Sequence, residues 1–106
     1  MARAKFQTLT EQLFYILLCL RNECYGVDIM EQVSSMTGGR VSVGPGTLYN
    51  LLEQFVSAEM IRETRAEGRR RCYLLSDAGR EALNREYARL RTQTEDYRKV
   101  FGEEST

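Results

Sequence analysis

VSVGPGTLYNLLEQFVSAEMIRETRAEGRRRCYLL, residues 41–75, carries three structural signals in one run. Pro45 marks the first position of a helix, because the N–H that proline lacks would be unpaired there anyway. Two strands, about 61–65 and 70–75, surround a turn at 66–69 that contains Gly68. The run therefore predicts a helix followed at once by a hairpin tipped with arginines. A helix of this length fits a groove of duplex DNA, and a basic hairpin fits the flanking phosphates.

The helix predicted to begin at Pro45 has an apolar side and a polar side. Apolar residues at helical spacing are expected to face inward, namely Leu48, Leu51, Leu52 and Phe55. The glycines beside Pro45 let the backbone approach a phosphate, which the free N–H groups of the first turn would bind. Hydroxyl groups can donate to phosphate oxygens, and an asparagine can pair with adenine. The expected DNA contacts on this helix are Gly44, Gly46, Thr47, Tyr49 and Asn50.

Two of these side chains have a second interpretation. The Tyr49 ring could instead cover the turn between the second and third helices. Asn50 could be a solvated residue with no contact to a base. The residue types alone leave both alternatives open.

The hairpin tip contains three consecutive arginines at 69–71. Such a cluster suits a DNA backbone or a minor groove and does not suit a protein core. Neighbouring side chains on a strand point to opposite faces, so the three arginines cannot all act alike. We expect Arg69 and Arg70 to contact DNA, and a solvated charge run is the alternative.

The N-terminal part predicts an arm at 1–7 and two helices. Thr8 and Glu11 fit a capping box for the first helix, with Thr10 as a rival N-cap, and the helix is expected to run to about Asn22. The second helix is predicted from about Val27 to Met36, and glycines end it. The residues expected in the core are Leu13, Ile16, Leu17 and Leu20 of the first helix and Ile29, Val33 and Met36 of the second.

The C-terminal part predicts one long helix, which Ser76 and Asp77 cap and which ends near Phe101. Its apolar positions are spaced alternately by four and three residues, the pattern of a coiled coil or a packed helix pair. Such a helix is too long to be covered by so small a domain, so we expect it to form a homodimer with the first helix of a second copy. A solvated helix is the alternative. The expected dimerisation residues are Phe14, Leu18, Leu83, Tyr87, Leu90, Thr94, Tyr97 and Phe101.

A small aromatic effector could bind between the two copies. The aromatic and apolar side chains that could line its pocket are Phe14, Tyr15, Leu18, Tyr87, Leu90 and Tyr97. Packing of the dimer alone is the alternative explanation for these residues.

The composition narrows the function classes. The chain has 106 residues, enough for one small domain, and its 15 basic residues balance 15 acidic ones. The basic charge is local, since residues 62–71 contain five arginines and two glutamates. Without histidine, we expect no metal, no cofactor and no enzyme activity.

The expected location is the cytoplasm, because no apolar run is long enough to cross a membrane. The three cysteines, Cys19, Cys24 and Cys72, are then expected to be reduced thiols, with a redox switch as the alternative.

Five short motifs resemble the PadR family of transcriptional regulators. They are Tyr25-Gly26-Val27-Asp28-Ile29, Gly38-Gly39, Gly44-Pro45-Gly46-Thr47-Leu48-Tyr49, the stretch from Gly68 to Leu75, and Ser76-Asp77 with Gly79-Arg80. The resemblance covers about residues 9–83 and is to the compact branch, with a single short C-terminal helix. It implies a dimeric bacterial transcription factor, usually a repressor that a small ligand or stress signal releases. It also implies DNA contact at Thr47, at Tyr49 and at the arginines of the hairpin.

The expected fold is therefore mainly α with a two-stranded hairpin: a winged helix-turn-helix at 1–75 and a dimerisation helix with an acidic tail at 76–106. The expected function is sequence-specific binding of a near-palindromic DNA operator by a dimeric repressor. The alternative is a winged-helix module that binds another protein. The neutral net charge and the outward position of Glu53 favour that alternative.

Overall fold

The computed structural model describes Phe6 and residues 8–102. Most of the predicted arm and the acidic tail after Gly102 lie outside the described residues. The elements follow in the order α1 (Glu11–Cys19), β1 (Cys24–Tyr25), α2 (Gly26–Met36), α3 (Pro45–Ser57), β2 (Ile61–Glu67), β3 (Arg70–Leu75) and α4 (Asp77–Phe101). This is the winged-helix arrangement, mostly helical, that the sequence predicts.

The predicted hairpin is present as β2 and β3, but the sheet contains a third strand that the sequence did not predict. The sheet has three antiparallel strands in the order β1-β3-β2. In β1, Cys24 pairs with Tyr73 and Tyr25 pairs with Cys72. A strand of two residues is too short to show the alternation that identifies strands in a sequence, so only its partner reveals it.

Three details of the first two helices also differ from the prediction. Thr10, not Thr8, is the N-cap of α1, and its hydroxyl accepts from the backbone N–H of Leu13. The helix ends at Cys19 rather than near Asn22, because the backbone N–H of Leu20 bonds to the carbonyl of Leu17 and tightens the last turn. Met36 is 49% exposed, because it is the last residue of α2 and lies beyond the core.

The core lies between α1, α2, α3 and the sheet. Its fully buried members include Ile16, Leu17, Leu20, Ile29, Leu48, Leu52 and Phe55. Burying one such side chain contributes about 1.5–3 kcal/mol to folding. The ring of Phe6 packs on that of Phe55, with 5.1 Å between their centroids. Leu48, Leu52 and Phe55 therefore hold one side of α3 in the core and leave its opposite side to solvent.

The start of α4 is fitted closely to the turn between α3 and β2. The Ser76 hydroxyl accepts from the N–H of Gly79 at 3.1 Å and donates to the carbonyl of Glu59 at 2.6 Å. A Cβ at Gly79 would overlap the carbonyl of Met60, so this approach requires glycine. The predicted cap is confirmed, and Gly79 explains why the helix can come so close.

None of the helices in the part of the chain that the structure describes is long and apolar enough to span a bilayer.

Candidate nucleic-acid interface

The N-terminus of α3 is open to solvent and lacks a cap from the described residues. Gly44 is the N-cap residue, no described side chain bonds to the first turn, and no acidic residue lies in that turn. A Cβ at Gly44 or Gly46 would meet nothing within 4 Å in the described part of the chain, so the fold itself does not require glycine at either position. The free N–H groups and the helix dipole make this end suitable for an anion.

The outward side of α3 presents three of the side chains that were predicted to contact DNA. Thr47, Tyr49 and Asn50 are exposed. The Tyr49 ring also packs on α2, because a Cβ on Gly26 would lie 3.3 Å from its Cε1 atom. The ring therefore covers the start of α2 and not the turn between α2 and α3 that the alternative named, and 42% of the residue is exposed.

A β-bulge decides which face of the hairpin each residue occupies. The pairing shifts between Glu63 and Arg65, so Glu63 lies opposite Tyr73 while Arg65 lies opposite the next residue, Cys72. The extra residue, Thr64, has a buried hydroxyl without a hydrogen-bond partner among the described residues. Because of this shift, Arg65 lies in one row with Cys72 and Tyr25, on the face of the sheet away from α3.

Arg70 lies on that outer face and is held there. Its guanidinium is 4.0 Å from the centroid of the Tyr25 ring, a close cation–π contact. The Tyr25 hydroxyl donates to Oε2 of Glu67 at 3.0 Å, and this bond raises the pKa of Tyr25. The Arg70 head group is therefore engaged within the chain.

Arg69 and Arg71 lie on the other face of the hairpin, toward α3. Both line a cleft of about 610 Å³ together with Tyr49, Glu53 and Tyr73. Arg71 forms an ion pair with Glu63 at 2.8 Å. Arg71 was not among the two arginines predicted to contact DNA, although alternation along β3 places it on the face opposite to Arg70.

The residues expected to form the dimer lie in two environments. Leu83 is buried in the core of its own chain, and Phe14 and Leu18 are half-buried beside it. From Tyr87 onward every residue of α4 except Arg89 is exposed. The rings of Tyr97 and Phe101 touch, with 5.0 Å between centroids, and the Thr94 hydroxyl donates to the carbonyl of Leu90. An apolar stripe thus continues along α4 beyond the body of the domain.

Part of the expected effector pocket forms a small cavity of about 210 Å³ between α1 and α4. Its lining consists of Phe14, Leu18, Arg21, Leu75, Arg80, Leu83, Asn84 and Tyr87. Three of the six expected residues are therefore brought together. Tyr15 turns toward Arg40, whose guanidinium donates to its hydroxyl, and Tyr97 lies about 15 Å further along α4 than Tyr87.

The three cysteines are buried and free. Burial raises the pKa of Cys19 to about 11 and also raises the pKa of Cys24. These two thiols therefore stay protonated at neutral pH and are poor nucleophiles. Among the described residues, no group of three or more histidine, cysteine or acidic residues could hold a metal ion.

Comparisons with known proteins agree with this geometry. The model of the transcriptional regulator PadR-like family matches residues 16–85. An uncharacterized 37.1 kDa protein in transposon TN4556 of Streptomyces fradiae is 36% identical over 62 residues, which are 58% of this chain and 17% of that protein. The chain thus spans less than a fifth of that relative's length.

Solved structures show the same fold at low identity. The complex structure of hsRosR-S4 superimposes with a TM-score of 0.71 at 20% identity, over 99% of this chain and 96% of that one. A transcriptional regulator from Clostridium thermocellum gives 0.62 at 21% identity, over 86% and 90%. The winged-helix DNA-binding protein F93 from STIV gives 0.57 at 13% identity, over 94% and 92%.

Proposed function

The chain belongs to the PadR-like family of transcriptional regulators and is a DNA-binding regulator, and from that premise we propose that it is a homodimeric repressor of a near-palindromic operator. The observation that carries this proposal is the position of the apolar stripe on α4. Tyr87, Leu90, Tyr97 and Phe101 remain exposed after the chain has folded. Large exposed apolar surfaces on small proteins usually mark an interface.

A second copy is the partner that fits this surface. The stripe continues the 4-3 spacing that characterises paired helices, and the half-buried Phe14 and Leu18 on α1 offer a facing apolar surface. In a two-fold dimer, the α3 helices would lie about 34 Å apart, one turn of DNA, and would read equivalent half-sites.

Each protomer would hold DNA at two places. The N–H groups at Gly44 and Gly46, at the N-terminus of α3, would bind a phosphate. Thr47 and Tyr49 would donate hydroxyl hydrogen bonds to phosphate oxygens. Asn50 would face the bases. The hairpin would supply Arg69 to an adjacent phosphate. Arg70 would join it only if it leaves the Tyr25 ring. Arg71 lies on the same face as Arg69 and would join it by exchanging its Glu63 partner for a phosphate.

Repression needs no additional surface, because a protein that occupies promoter DNA excludes the polymerase from it. The cavity between α1 and α4 could admit a small effector, and its lining includes residues of the proposed dimer interface. Binding there would alter the spacing of the two α3 helices and release the operator.

The experiment is a salt titration of DNA binding by fluorescence anisotropy, combined with sedimentation analysis. The protein should sediment as a dimer, and log K should fall linearly with log salt. Arg69→Ala with Arg71→Ala should weaken all duplexes alike and reduce the slope by about 0.9 for each phosphate that is no longer neutralised. Arg85→Ala, an exposed change on α4, is the control and should alter neither value. A monomer that retains no DNA at low salt would refute the proposal.

A further inference from the structure

The segment that leads into α3 is tied to α1 by side chains outside the proposed DNA contacts. The Arg40 guanidinium donates to Oε2 of Glu11 at 2.7 Å and to the Tyr15 hydroxyl at 3.1 Å. Gln12 donates from Nε2 to the carbonyl of Ser42 at 2.9 Å. Three side chains from the first half of α1 are thus engaged with residues just before Gly44, the N-cap of α3.

The same segment is also held from inside. Val41 and Val43 are buried, so the segment cannot slide along α1 without exposing them. The backbone N–H of Val41 donates to the Thr37 hydroxyl at 3.1 Å, which closes the turn after α2. The Arg40 side chain therefore links α1 to a short and well-packed connection. A shift at Arg40 would move the start of α3.

Tyr15 connects the contacts of Arg40 to the other side of α1. Its ring meets that of Phe14 edge-on, with 5.4 Å between centroids. Phe14 lines the cavity with Leu18 and Tyr87, on the surface where we place the second copy. A line of direct contacts thus runs from that surface through Phe14, Tyr15 and Arg40 to the start of α3.

We infer that Arg40 is a positioning residue that fixes the angle of α3 relative to the dimer face. It thereby sets which separation of the two half-sites the dimer accepts. This inference rests on the proposed dimer. One base pair moves a half-site by about 3.4 Å, so a small rotation of each α3 changes the preferred spacing.

Arg40 is exposed, and an exposed ion pair adds little to stability. Its removal should consequently leave the fold intact while loosening the angle of α3. This outcome distinguishes a positioning role from a structural one. If Arg40 were only structural, its removal would lower the unfolding temperature without changing the preference for spacing. A positioning role also differs from a phosphate-binding role, whose removal would lower the salt slope by about 0.9.

The test uses duplexes selected from a random library by the wild-type protein, each with two half-sites, and matched duplexes with the spacer changed by one base pair. The wild type should prefer the selected spacing. Arg40→Met should reduce that preference about fivefold, the size of effect expected from an exposed pair with an added hydrogen bond, with an unchanged salt slope. Arg85→Met, which removes an exposed arginine from α4, should behave as wild type.

A charge exchange provides the rescue. Glu11→Arg combined with Arg40→Glu rebuilds the ion pair in reverse and should recover most of the spacing preference. An unchanged preference in Arg40→Met, or a reduced salt slope, would overturn the inference and leave the dimer proposal standing. A wild-type protein that binds all spacings equally would overturn the dimer proposal, and the inference with it.

Discussion

The two halves of α4 are one continuous helix in different surroundings. In the first half, up to Glu86, the buried residues are Gly79, Ala82, Leu83 and Glu86, all packed against the rest of the chain. In the second half, Tyr97, Val100 and Phe101 are at least half exposed. The helix has 25 residues and is roughly 37 Å long, so it extends past a domain of this size.

Apolar spacing alone therefore does not indicate which surface a helix covers. The stripe has the same period in both halves, yet the residue types differ. The first, anchored half approaches the backbone of Met60 at Gly79 and is fixed by polar contacts at Ser76 and Glu86. The projecting half carries large aromatic residues that remain exposed. Substitutions in the first half should therefore change folding, and those in the second should change association.

The largest expected effect is on association. Tyr97→Asp with Phe101→Asp places two charges in the apolar stripe and should weaken the dimer by about 4 kcal/mol, roughly a thousandfold. Both residues are at least half exposed, so the isolated subunit should still fold. Sedimentation equilibrium measures the dissociation constant, and circular dichroism checks the helix content. If the dimer stays intact with the two Asp substitutions, the interface does not lie on the projecting half.

The second prediction concerns the closest approach of the anchored half. Gly79→Ala places a Cβ against the carbonyl of Met60, which is backbone and cannot move aside without distorting the turn. We expect a decrease of about 3 kcal/mol in the free energy of unfolding, measured by urea denaturation at one protein concentration. Gly46→Ala is the matched control, because no described atom lies near its Cβ, and it should not destabilise. Equal stability of the two variants would show that α4 does not depend on this approach.

The third-largest expected effect concerns the buried carboxylate of Glu86, which is 2% exposed. It accepts from the backbone N–H of Leu9 at 3.1 Å and from the guanidinium of Arg89. Glu86→Gln keeps an acceptor but removes the charge, and should cost about 2 kcal/mol at pH 7. Glu95→Gln, which weakens an exposed pair with Arg91 in the projecting half, should cost almost nothing.

The loss of stability caused by Glu86→Gln should depend on pH. The hydrogen bonds from Arg89 hold the pKa of Glu86 below the value of about 4.3 in an unfolded chain. The stabilisation is therefore complete above that pH and is lost as the pH falls through the folded pKa. Urea denaturation at pH 7 and at about pH 3.5 should give a smaller difference between wild type and Glu86→Gln at the lower pH. A difference that grows in acid would mean that Glu86 is neutral in the folded chain.

The elements that were predictable from the sequence have local signals. Pro45 at the start of α3, the turn at Gly68 with φ of 61°, and the Ser76 cap of α4 each depend on a residue's own backbone preferences. The strand β1 has no such signal, because its two residues become a strand only by pairing with β3. Thr8 and Thr10 were both plausible caps, and only the position of the first helical turn decides between them.

The site was predictable to a similar extent and for the same reason. The exposure of Thr47, Tyr49 and Asn50 follows from the helical period that buries Leu48 and Leu52. The separation of Arg70 from Arg71 follows from alternation along β3, but the stacking of Arg70 on Tyr25 does not. That stacking depends on the pairing of β1 with β3, which joins residues distant in the sequence.

The smallest expected effect tests the cap that joins α4 to the body. Ser76→Ala removes the acceptor for the N–H of Gly79 and the donor to the carbonyl of Glu59, and should lower the free energy of unfolding by about 1 kcal/mol. Thr92→Ala removes an exposed hydroxyl of the projecting half that lies outside the apolar stripe, and should change that free energy by less than about 0.5 kcal/mol. Urea denaturation at one protein concentration measures both. If the two alanine variants are equally stable, the cap does not hold the anchored half, and the difference between the halves must come from Gly79 and Glu86 alone.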